Sequence, residues 1–532
     1  MPQLALYTGP QRFLDGAAYR DSLRAYAPTV FVDGRRIESV ADDPAFAPGV
    51  NALAVSYDFA LDEALAPLMQ AEQRARGRTV NRMLHINESA GDLLNKLEAV
   101  RLLCQETGCA QRYLTHDAMN GLAQACAALD DAKGGRGHRD RFEAYLAHVQ
   151  DADLAVGIAM TDAKGDRSRK PHQQPNTDAY VHIVERKAQG IVISGTKAIV
   201  TSAPYVHELL VMPCRAMGEA DADFAVCCAL PVDAEGITIV ARPAGRPGEK
   251  PEHGAPLFSR RYGQSTAVVI FDRVFVPWER VFFAGEWQFS EVLTYSYATH
   301  HRHSCIAARA GFGDLLIGAG VLMCEANGFD DPGAKSNLRE PMVELIKIVE
   351  GFYACGVAAS VYGAADPLAG NFMPDPVFAN IGKLLLATQI YDMHRLAHEV
   401  SGGLIVALPG PDEDHNPVTA ASLAEVLRAN PAVPYDKRIE TARFMEDLTA
   451  SYQGGWYSLI SLHGGGSPAA MKQEIWRHYP VGDKVALVER LLDRGVLESP
   501  ERPITRNRQP GRCCDAGCAQ PGQAVMVPMP RP

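Results

Sequence analysis

The sequence changes its pattern twice, and these changes limit the folds open to the chain. Residues 11–150 carry mostly helical patterns, such as the apolar stripe of Leu93, Leu97 and Val100 in AGDLLNKLEAVRLL. From about residue 151, short runs rich in Val, Ile and Thr alternate with turn residues, which is typical of antiparallel β-structure. After Pro277 the helical patterns return. The sequence therefore predicts an α+β fold in which a β-domain separates two helical domains.

The boundaries follow from these patterns. We predict an N-terminal helical domain at 1–150, a β-domain at 151–285, a helical bundle at 286–490 and a flexible tail at 491–532 rich in Pro, Gly and Cys. The predicted strands are 179–185, 190–200, 207–212, 224–230, 236–241 and 266–271. Segments 306–325 and 338–365 are apolar nearly all round, which is typical of helices in a bundle core or a subunit interface.

Composition narrows the class of protein. The 532 residues include 52 Lys and Arg against 63 Asp and Glu, and 47% are hydrophobic. These values are typical of a soluble globular protein and give no broad basic surface for a nucleic acid. The N-terminus has no signal-peptide pattern and no apolar run reaches 18 residues, so we expect no membrane partner. The twelve cysteines are scattered, except for Cys513, Cys514 and Cys518, and in such a chain they indicate reduced thiols and a cytoplasmic location.

Two polar motifs fall in the predicted β-domain. Residues 160–168 read MTDAKGDRS and residues 195–202 read GTKAIVTS, at the end of a predicted strand. Side chains and backbone groups of such segments can order a ligand through hydrogen bonds. The alternative is that both are ordinary solvated connections between strands.

A glycine-rich segment, LHGGGSP, precedes a predicted helix. Ser467 is a suitable N-cap and Pro468 suits the first helical turn, while the glycines leave bare N–H groups that can meet a phosphate. The segment lacks the Lys-Ser/Thr ending of a P-loop and the setting of a dinucleotide fingerprint. It is either a flexible loop or an anion site of another cofactor geometry.

A cluster of histidines, HHRHSC, spans residues 300–305. His301 and Cys305 are four residues apart and share a face of the predicted helix. Common zinc spacings and CxxC pairs are absent from the sequence, so we predict no metal site here. The alternative to a chemical role is a polar helix turn with structural thiols.

Together, several motifs resemble the 4-hydroxyphenylacetate 3-hydroxylase / 4-hydroxybutyryl-CoA dehydratase family of flavoproteins over residues 12–480. They are DAMN at 117–120, MTDAKGDRS, GTKAIVTS, FDRVFVP at 271–277, GFGD at 311–314, SGGLIVALP at 401–409 and LHGGGSP. The resemblance implies an acyl-CoA-dehydrogenase-like fold, a homotetramer or homodimer, and FAD between the β-domain and the bundle. It places these residues at the flavin or its phosphates: Met160, Thr161, Thr201, Ser202, His463, Gly464, Gly465, Gly466 and Ser467.

The sequence departs from both branches at the substrate site. In the dehydratase branch an iron–sulfur cluster is held by three cysteines and a histidine, and the matching positions here are Cys109, Tyr113, His301 and Ala308. Two thiolates are missing, so this cluster is not expected. The branch's two glutamates fall on Thr266 and Ile460. The phenol-binding residues of the hydroxylase branch correspond approximately to Lys96, Val100 and Ile158.

We therefore predict a monooxygenase that uses FADH2 from a separate flavin reductase to hydroxylate a small organic molecule. His301 and Arg112 are the predicted catalytic residues, with His301 as an acid/base or orienting group. The predicted substrate-pocket residues are Cys109, Tyr113, Cys305 and Ile460. One alternative is a dehydratase or isomerase acting on an acyl-CoA. Another is a non-catalytic flavoprotein that serves as a scaffold.

Overall fold

The computed structural model describes residues 4–109, 111–244, 257–329 and 338–494. The chain divides into two compact units, Met1–Ile475 and Trp476–Pro532. In the second unit the main described element is helix α15, Val481–Arg494. The predicted tail at 491–532 thus begins within a helix, while Cys513, Cys514 and Cys518 lie outside the described residues.

The N-terminal segment is mainly helical, as predicted. Its helices are α1 Gly16–Leu23, α2 Ala47–Leu61, α3 Ala66–Met69, α4 Ala90–Thr107, α5 Tyr113–Lys133 and α6 Gly137–Asp151. The side chain of Ser89 accepts a hydrogen bond from the Asp92 N–H at the start of α4, and Gly108 ends this helix in the left-handed conformation. The segment also contains two short hairpins, β1 Thr29–Val32 with β2 Arg35–Ile37, and β3 Gln70–Gln73 with β4 Arg78–Asn81.

Two sheets form the central part. The strands are β5 Val156–Ala159, β6 His182–Lys187, β7 Gly190–Thr201, β8 Glu208–Val211, β9 Val226–Pro231, β10 Ile237–Arg242, β11 Thr266–Pro277 and β12 Val281–Ala284. The six-stranded sheet has the order β2-β1-β10-β11-β7-β6 and the four-stranded sheet β12-β9-β8-β5. All six predicted runs form strands. Most pairs are antiparallel, but β1–β10 and β5–β8 are parallel. The partners in these two pairs are distant in sequence, so the local alternation of residues does not reveal their pairing.

The third part is a helical bundle. Its helices are α7 Leu257–Arg261, α8 Phe289–Ala326, α9 Arg339–Val361, α10 Pro376–Ser401, α11 Ala420–Val426, α12 Tyr435–Thr449, α13 Tyr452–His463 and α14 Pro468–His478, with a small hairpin of β13 Ala364–Ala365 and β14 Phe372–Met373. Helix α8 is its centre and packs against α4, α5, α9 and α10. Helix α8 approaches α5 closely at Gly121, where a Cβ atom would lie only 2.8 Å from the Tyr297 nitrogen. The absence of a side chain at Gly121 permits this approach.

Among the described residues, only helix α8 contains a stretch long and apolar enough to cross a membrane. Its length and composition would allow it to cross a membrane, but 67% of its most apolar window is buried inside the protein. Such burial is typical of the central helix of a soluble bundle. The prediction of a helix buried on several sides is therefore confirmed for α8.

Candidate active site

His301, on α8, lies among two aromatic rings and two hydrogen-bonding partners. Its ring stacks on Tyr297, with centroids 5.3 Å apart and 9° between the planes, and on Tyr113 at 5.8 Å and 26°. Its Nδ1 lies 3.3 Å from Asp117 Oδ2, and its Nε2 lies 3.6 Å from Cys305 Sγ. Both ring nitrogens are engaged, so the orientation of the imidazole is fixed.

Asp117, on α5, anchors this arrangement. Its carboxylate lies 3.5 Å from Lys96 Nζ and 3.3 Å from His116 Nδ1, and it accepts a 2.7 Å hydrogen bond from the Ser304 hydroxyl. Burial alone would raise the pKa of Asp117, but the neighbouring Lys96, His116 and His301 hold that pKa well below its usual range. Asp117 is therefore an anion that faces His301.

His301 and Cys305 shift each other's pKa. Burial alone would raise the pKa of Cys305, but the charge of His301 and the hydrogen bond from it lower this pKa. Burial alone would lower the pKa of His301, but Cys305 and Asp117 raise it. Each partner therefore favours the charged form of the other.

A turn of residues 464–467, which we call the glycine turn, lies against His301. Gly465 and Gly466 have φ angles of +76° and +103°, in the region that favours glycine. A Cβ at Gly465 would lie only 3.2 Å from His301 Cδ2. The Ser467 hydroxyl accepts a 3.4 Å hydrogen bond from the Ala470 N–H, which confirms the predicted N-cap.

The sequence predicts bare N–H groups in the glycine turn, but two of them already have acceptors. The N–H of Gly464 donates to the Ile460 carbonyl at 2.7 Å, and that of Gly466 donates to the His463 carbonyl at 3.2 Å. Two of the three glycine N–H groups thus donate to carbonyls in the last turn of α13. An anion at this turn needs cationic side chains as well.

Three cationic side chains surround the turn and Cys305. Arg302 donates to the Gly465 carbonyl at 2.9 Å, Arg309 to the Ser461 hydroxyl at 2.9 Å, and Lys383 to the Ser461 carbonyl at 2.7 Å. All three are at most 5% exposed. Among the described residues, Lys383 and Arg309 form no ion pair with a carboxylate, while the charge of Glu474 acts on Arg302. Burial, together with Arg309 and Arg302, lowers the pKa of Lys383 to about 7. Such a surplus of buried positive charge suits an anionic ligand.

This surplus of buried positive charge shows whether the site suits a flavin dinucleotide. The glycine turn has no side chains at Gly465 and Gly466, and Arg302 and Lys383 border it. A diphosphate would provide the negative charge that these cations lack. The residues present therefore fit the phosphate part of FAD.

In the β-domain a buried ion pair joins the two polar motifs. Lys197 Nζ lies 2.6 Å from Asp162 Oδ1 and donates to the Met160 carbonyl at 2.9 Å, and the Ala198 N–H donates to the Thr161 carbonyl at 2.7 Å. Met160 and Thr161 keep partly exposed side chains beside this junction. The two motifs are thus one structural feature, which the sequence did not reveal.

The end of β7 holds the other two predicted flavin contacts. Thr201 pairs in register with Thr266 on β11. Ser202 has a φ of +62°, and its hydroxyl donates to Gln111 Oε1 at 2.5 Å, which also accepts from Tyr205. The Ser202 hydroxyl already has a protein partner, so its predicted contact with a flavin would require sharing or exchange of this hydrogen bond.

Arg112 lies in different surroundings from His301. Its guanidinium is 2.5 Å from Asp153 Oδ1, donates to the Asp153 and Leu154 carbonyls, and stacks over the Tyr57 ring at 3.8 Å. None of its described contacts is with His301. The structure thus gives Arg112 a clear role in packing, while its predicted catalytic role stays a prediction.

The predicted pocket residues are partly brought together. Tyr113 and Cys305 both contact His301. Cys109 lines a small cavity with mainly apolar walls that include Phe312 and Tyr457. Ile460 lies near the end of α13 and is half-buried.

The residues here do not fit the dehydratase cluster. At two of its four ligand positions stand Tyr113, whose ring stacks on His301, and Ala308, which is buried and has no donor atom. In the described part of the chain, no group of three His, Cys, Asp or Glu side chains could hold a metal ion. The positions that matched the two glutamates hold Thr266 and Ile460, neither of which is a base.

Comparison with known families supports the resemblance over almost the whole chain. The family described as 4-hydroxyphenylacetate 3-hydroxylase matches with its N-terminal part at residues 15–283 and its C-terminal part at residues 290–493. The chain belongs to this family. The predicted family is thereby confirmed.

Two relatives represent the two branches. A 4-hydroxybutyryl-CoA dehydratase/vinylacetyl-CoA-Δ-isomerase of Clostridium aminobutyricum is 33% identical over 88% of this chain and 97% of the relative. The oxygenase component of a 4-hydroxyphenylacetate 3-monooxygenase of Thermus thermophilus is 26% identical over 87% of this chain and 94% of the relative.

Solved structures agree with the fold. An oxygen-tolerant archaeal 4-hydroxybutyryl-CoA dehydratase from N. maritimus is 33% identical, with a TM-score of 0.86 over 92% of this chain and 97% of that one. The oxygenase component of 4-hydroxyphenylacetate 3-monooxygenase complexed with FAD is 24% identical, with a TM-score of 0.79 over 91% of this chain and 99% of that one. The predicted α+β, acyl-CoA-dehydrogenase-like fold is confirmed.

Several residues of the site were not predicted from sequence. Lys383 lies within an apolar stretch of α10, and a lone lysine in such a stretch was the available signal. Asp117 belonged to a family motif but was not assigned to the site. Tyr297 precedes His301 by four residues and Arg309 follows Cys305 by four on α8, so helical spacing was the available signal for both.

Proposed function

We propose that the chain is an FAD-dependent oxygenase component that hydroxylates a small organic substrate with reduced flavin from a separate reductase. The observation that carries this proposal is the cationic glycine turn beside His301, at a site with two cluster positions occupied by Tyr113 and Ala308. This site suits a flavin but not the cluster of the dehydratase branch.

In this proposal, Arg302, Lys383 and the glycine turn hold the phosphates of FAD, and Met160, Thr161, Thr201 and Ser202 border its ring system. The FAD-bound structure of a related oxygenase supports this cofactor. When bound and reduced, FAD supplies electrons to O2 so that one oxygen atom can be inserted into the substrate. The remaining chemistry belongs to the residues of this chain.

His301 has the properties of a proton donor in this site. Asp117 and Cys305 keep its ring protonated on both nitrogens, and Tyr113 and Tyr297 shield the ring from water. A proton held at Nε2 can be delivered where negative charge develops on oxygen. Exclusion of water also protects a reactive oxygen species from loss before it meets the substrate.

A dehydratase or isomerase acting on an acyl-CoA is the second candidate. It is favoured by the 33% identity to the clostridial enzyme and by the TM-score of 0.86 to the archaeal one. Against it stand Thr266 and Ile460, because removal of a proton from an unactivated carbon needs a base that these side chains cannot supply.

Anaerobic purification followed by iron, sulfide and flavin analysis separates the two candidates. The oxygenase proposal predicts one FAD for each chain, with iron and sulfide far below stoichiometric amounts. It further predicts O2-dependent product from a phenol panel that includes 4-hydroxyphenylacetate, when FADH2 is supplied. Stoichiometric iron and sulfide, with conversion of 4-hydroxybutyryl-CoA or vinylacetyl-CoA, would establish the second candidate instead.

We also propose that the protein assembles as a homotetramer or homodimer in the cytoplasm. Val343 and Ile346, three residues apart on α9, are 52% and 42% exposed, and Leu322 on α8 is 54% exposed. Exposed apolar side chains on core helices support burial against another copy. Light scattering of the FAD-loaded protein tests this, and a monomer would contradict it.

A further inference from the structure

We propose that Asp117, His301 and Cys305 form a nucleophilic triad that takes an acyl group from a thioester onto Cys305. This activity goes beyond the proposed hydroxylation and requires neither FAD nor O2. The geometry has the order of such triads, with an orienting carboxylate, a histidine and a nucleophile in hydrogen-bonded sequence.

The arrangement joins two helices through one imidazole. Asp117 on α5 holds Nδ1 of His301 at 3.3 Å, and Nε2 of the same ring lies 3.6 Å from Cys305 Sγ, one helical turn along α8. Tyr297 and Tyr113 stack on the ring and limit its rotation. A buried cysteine kept only for packing does not need an oriented histidine at its sulfur.

A second observation indicates a ligand at the sulfur. Arg309 is 5% exposed and uses its Nε for the Ser461 hydroxyl, and Lys383, fully buried, uses one donor for the Ser461 carbonyl. Both act electrostatically on Cys305, and neither has a carboxylate partner in the described residues. Cations beside a nucleophile can stabilise the negative charge that develops on a carbonyl oxygen.

The Tyr457 ring contacts Arg309 and also lines a small cavity, and the walls of this cavity indicate what kind of acyl group fits. The Arg309 guanidinium lies over the Tyr457 ring at 4.6 Å. The walls of this cavity also include Phe312, Tyr262 and Cys109. Apolar and aromatic walls suit a short hydrocarbon chain.

The step is balanced without an oxidant. The Cys305 thiolate attacks the carbonyl carbon of the donor and forms a new C–S bond. The C–S bond of the donor then breaks, and the departing sulfur leaves with the electron pair and takes the proton from His301 Nε2. The products are S-acyl Cys305 and a free thiol. A thioester is the favoured donor class because a thiolate leaves readily and one proton from an imidazolium completes the exchange.

The experiment uses butyryl-N-acetylcysteamine, a small thioester, with the FAD-loaded protein under anaerobic conditions. Peptide mass spectrometry is expected to find one butyryl group, on Cys305. We expect none at this peptide in Cys305→Ser, and at least a hundredfold slower labelling in His301→Gln. Cys126→Ser, which removes a buried thiol on α5 whose pKa burial raises, is the matched control and should label like the wild type.

Circular dichroism and FAD content confirm that each variant is folded before labelling. Labelling of Cys305 at equal rates in the wild type and in folded His301→Gln would overturn the triad. So would labelling of other cysteines alone, or no labelling of the folded wild type. Because O2 and substrate hydroxylation are absent from the assay, its result is independent of the proposed function.

Discussion

Single buried charges at this site have more than one role. Asp117 and Cys305 raise the pKa of His301 against the effect of burial, and so favour its protonated form. The same interactions lower the pKa of Cys305. One imidazolium therefore serves as a proton donor toward oxygen chemistry and as the counterion of a thiolate.

Arg112 gives a prediction at the residue scale. Its guanidinium and the Asp153 carboxylate are 2.5 Å apart and buried, so Arg112→Met leaves an uncompensated carboxylate. We expect the free energy of unfolding to fall by about 3–5 kcal/mol in urea denaturation. Arg136→Met, which changes an exposed arginine, should have almost no effect. Undiminished stability of Arg112→Met would remove the structural role and leave the predicted catalytic one.

The glycine turn gives a prediction at the element scale. Gly465→Ala places a side chain at a φ of +76° and 3.2 Å from the His301 ring. We expect a loss of about 1–2 kcal/mol from the backbone conformation and weaker FAD binding, measured by fluorescence titration. Gly455→Ala, on α13 with no atom near its Cβ position, is the control and should bind FAD normally.

If Gly465→Ala bound FAD with wild-type affinity, the glycine turn would not be the phosphate site. The control also separates this result from a general effect on the helices around the turn. Gly455 is exposed and lies within the preceding helix, so the two substitutions differ mainly in backbone conformation and in contact with His301.

Lys383 on α10, which borders the glycine turn, is expected to make FAD binding pH-dependent. Its pKa is lowered to about 7, so it is charged below this pH and increasingly neutral above it. A diphosphate favours the charged form, and FAD affinity should therefore fall as pH rises above 7, by at most tenfold for each pH unit. His301, Cys305, Arg302 and Arg309 face the same region. The test therefore compares the pH profiles of FAD affinity in several variants, rather than the wild-type profile alone.

The expected result for Lys383→Met is weaker FAD binding at pH 6.5 and a flatter profile from pH 6.5 to 9, measured by isothermal titration. Lys347→Met, which alters an exposed lysine of α9, should retain the wild-type slope. Equal slopes in Lys383→Met and the wild type would assign the dependence to another group.

Elements could be predicted from the sequence more fully than contacts between them. The strand and helix runs follow from the sequence because periodicity is a local property, as at β7 and α4. The sharing of a helix face by His301 and Cys305 also followed from spacing alone. By contrast, the junction of Lys197 with Asp162 and the approach of Lys383 on α10 to Cys305 on α8 depend on tertiary packing, which no local pattern contains.

At the scale of the whole molecule, buried neutral histidines predict sensitivity to acid. Burial lowers the pKa of His116 to about 4 and that of His207 to about 3. Between these values and about 6.5 the unfolded chain binds more protons, so the free energy of unfolding falls as pH decreases. Each group contributes up to about 1.4 kcal/mol for each pH unit in that range.

Urea denaturation at pH 7.5 and pH 5 measures this effect. His207→Gln should show a smaller loss between the two pH values than the wild type, although it is less stable at pH 7.5 because the bonds from the Ala155 N–H and to Ser22 are changed. An unchanged difference between the two pH values in His207→Gln would contradict the assignment.

We propose that the fold holds a reduced flavin and controls its reaction with O2 through His301. The most direct measurement mixes the anaerobically reduced, FAD-loaded protein with O2 and follows O2 consumption and hydrogen peroxide release together. We predict that peroxide release lags behind O2 consumption in the wild type and that the lag shortens at least tenfold in His301→Ala with FAD still bound. Peroxide released as fast as O2 is consumed, equally in both proteins, would contradict the account.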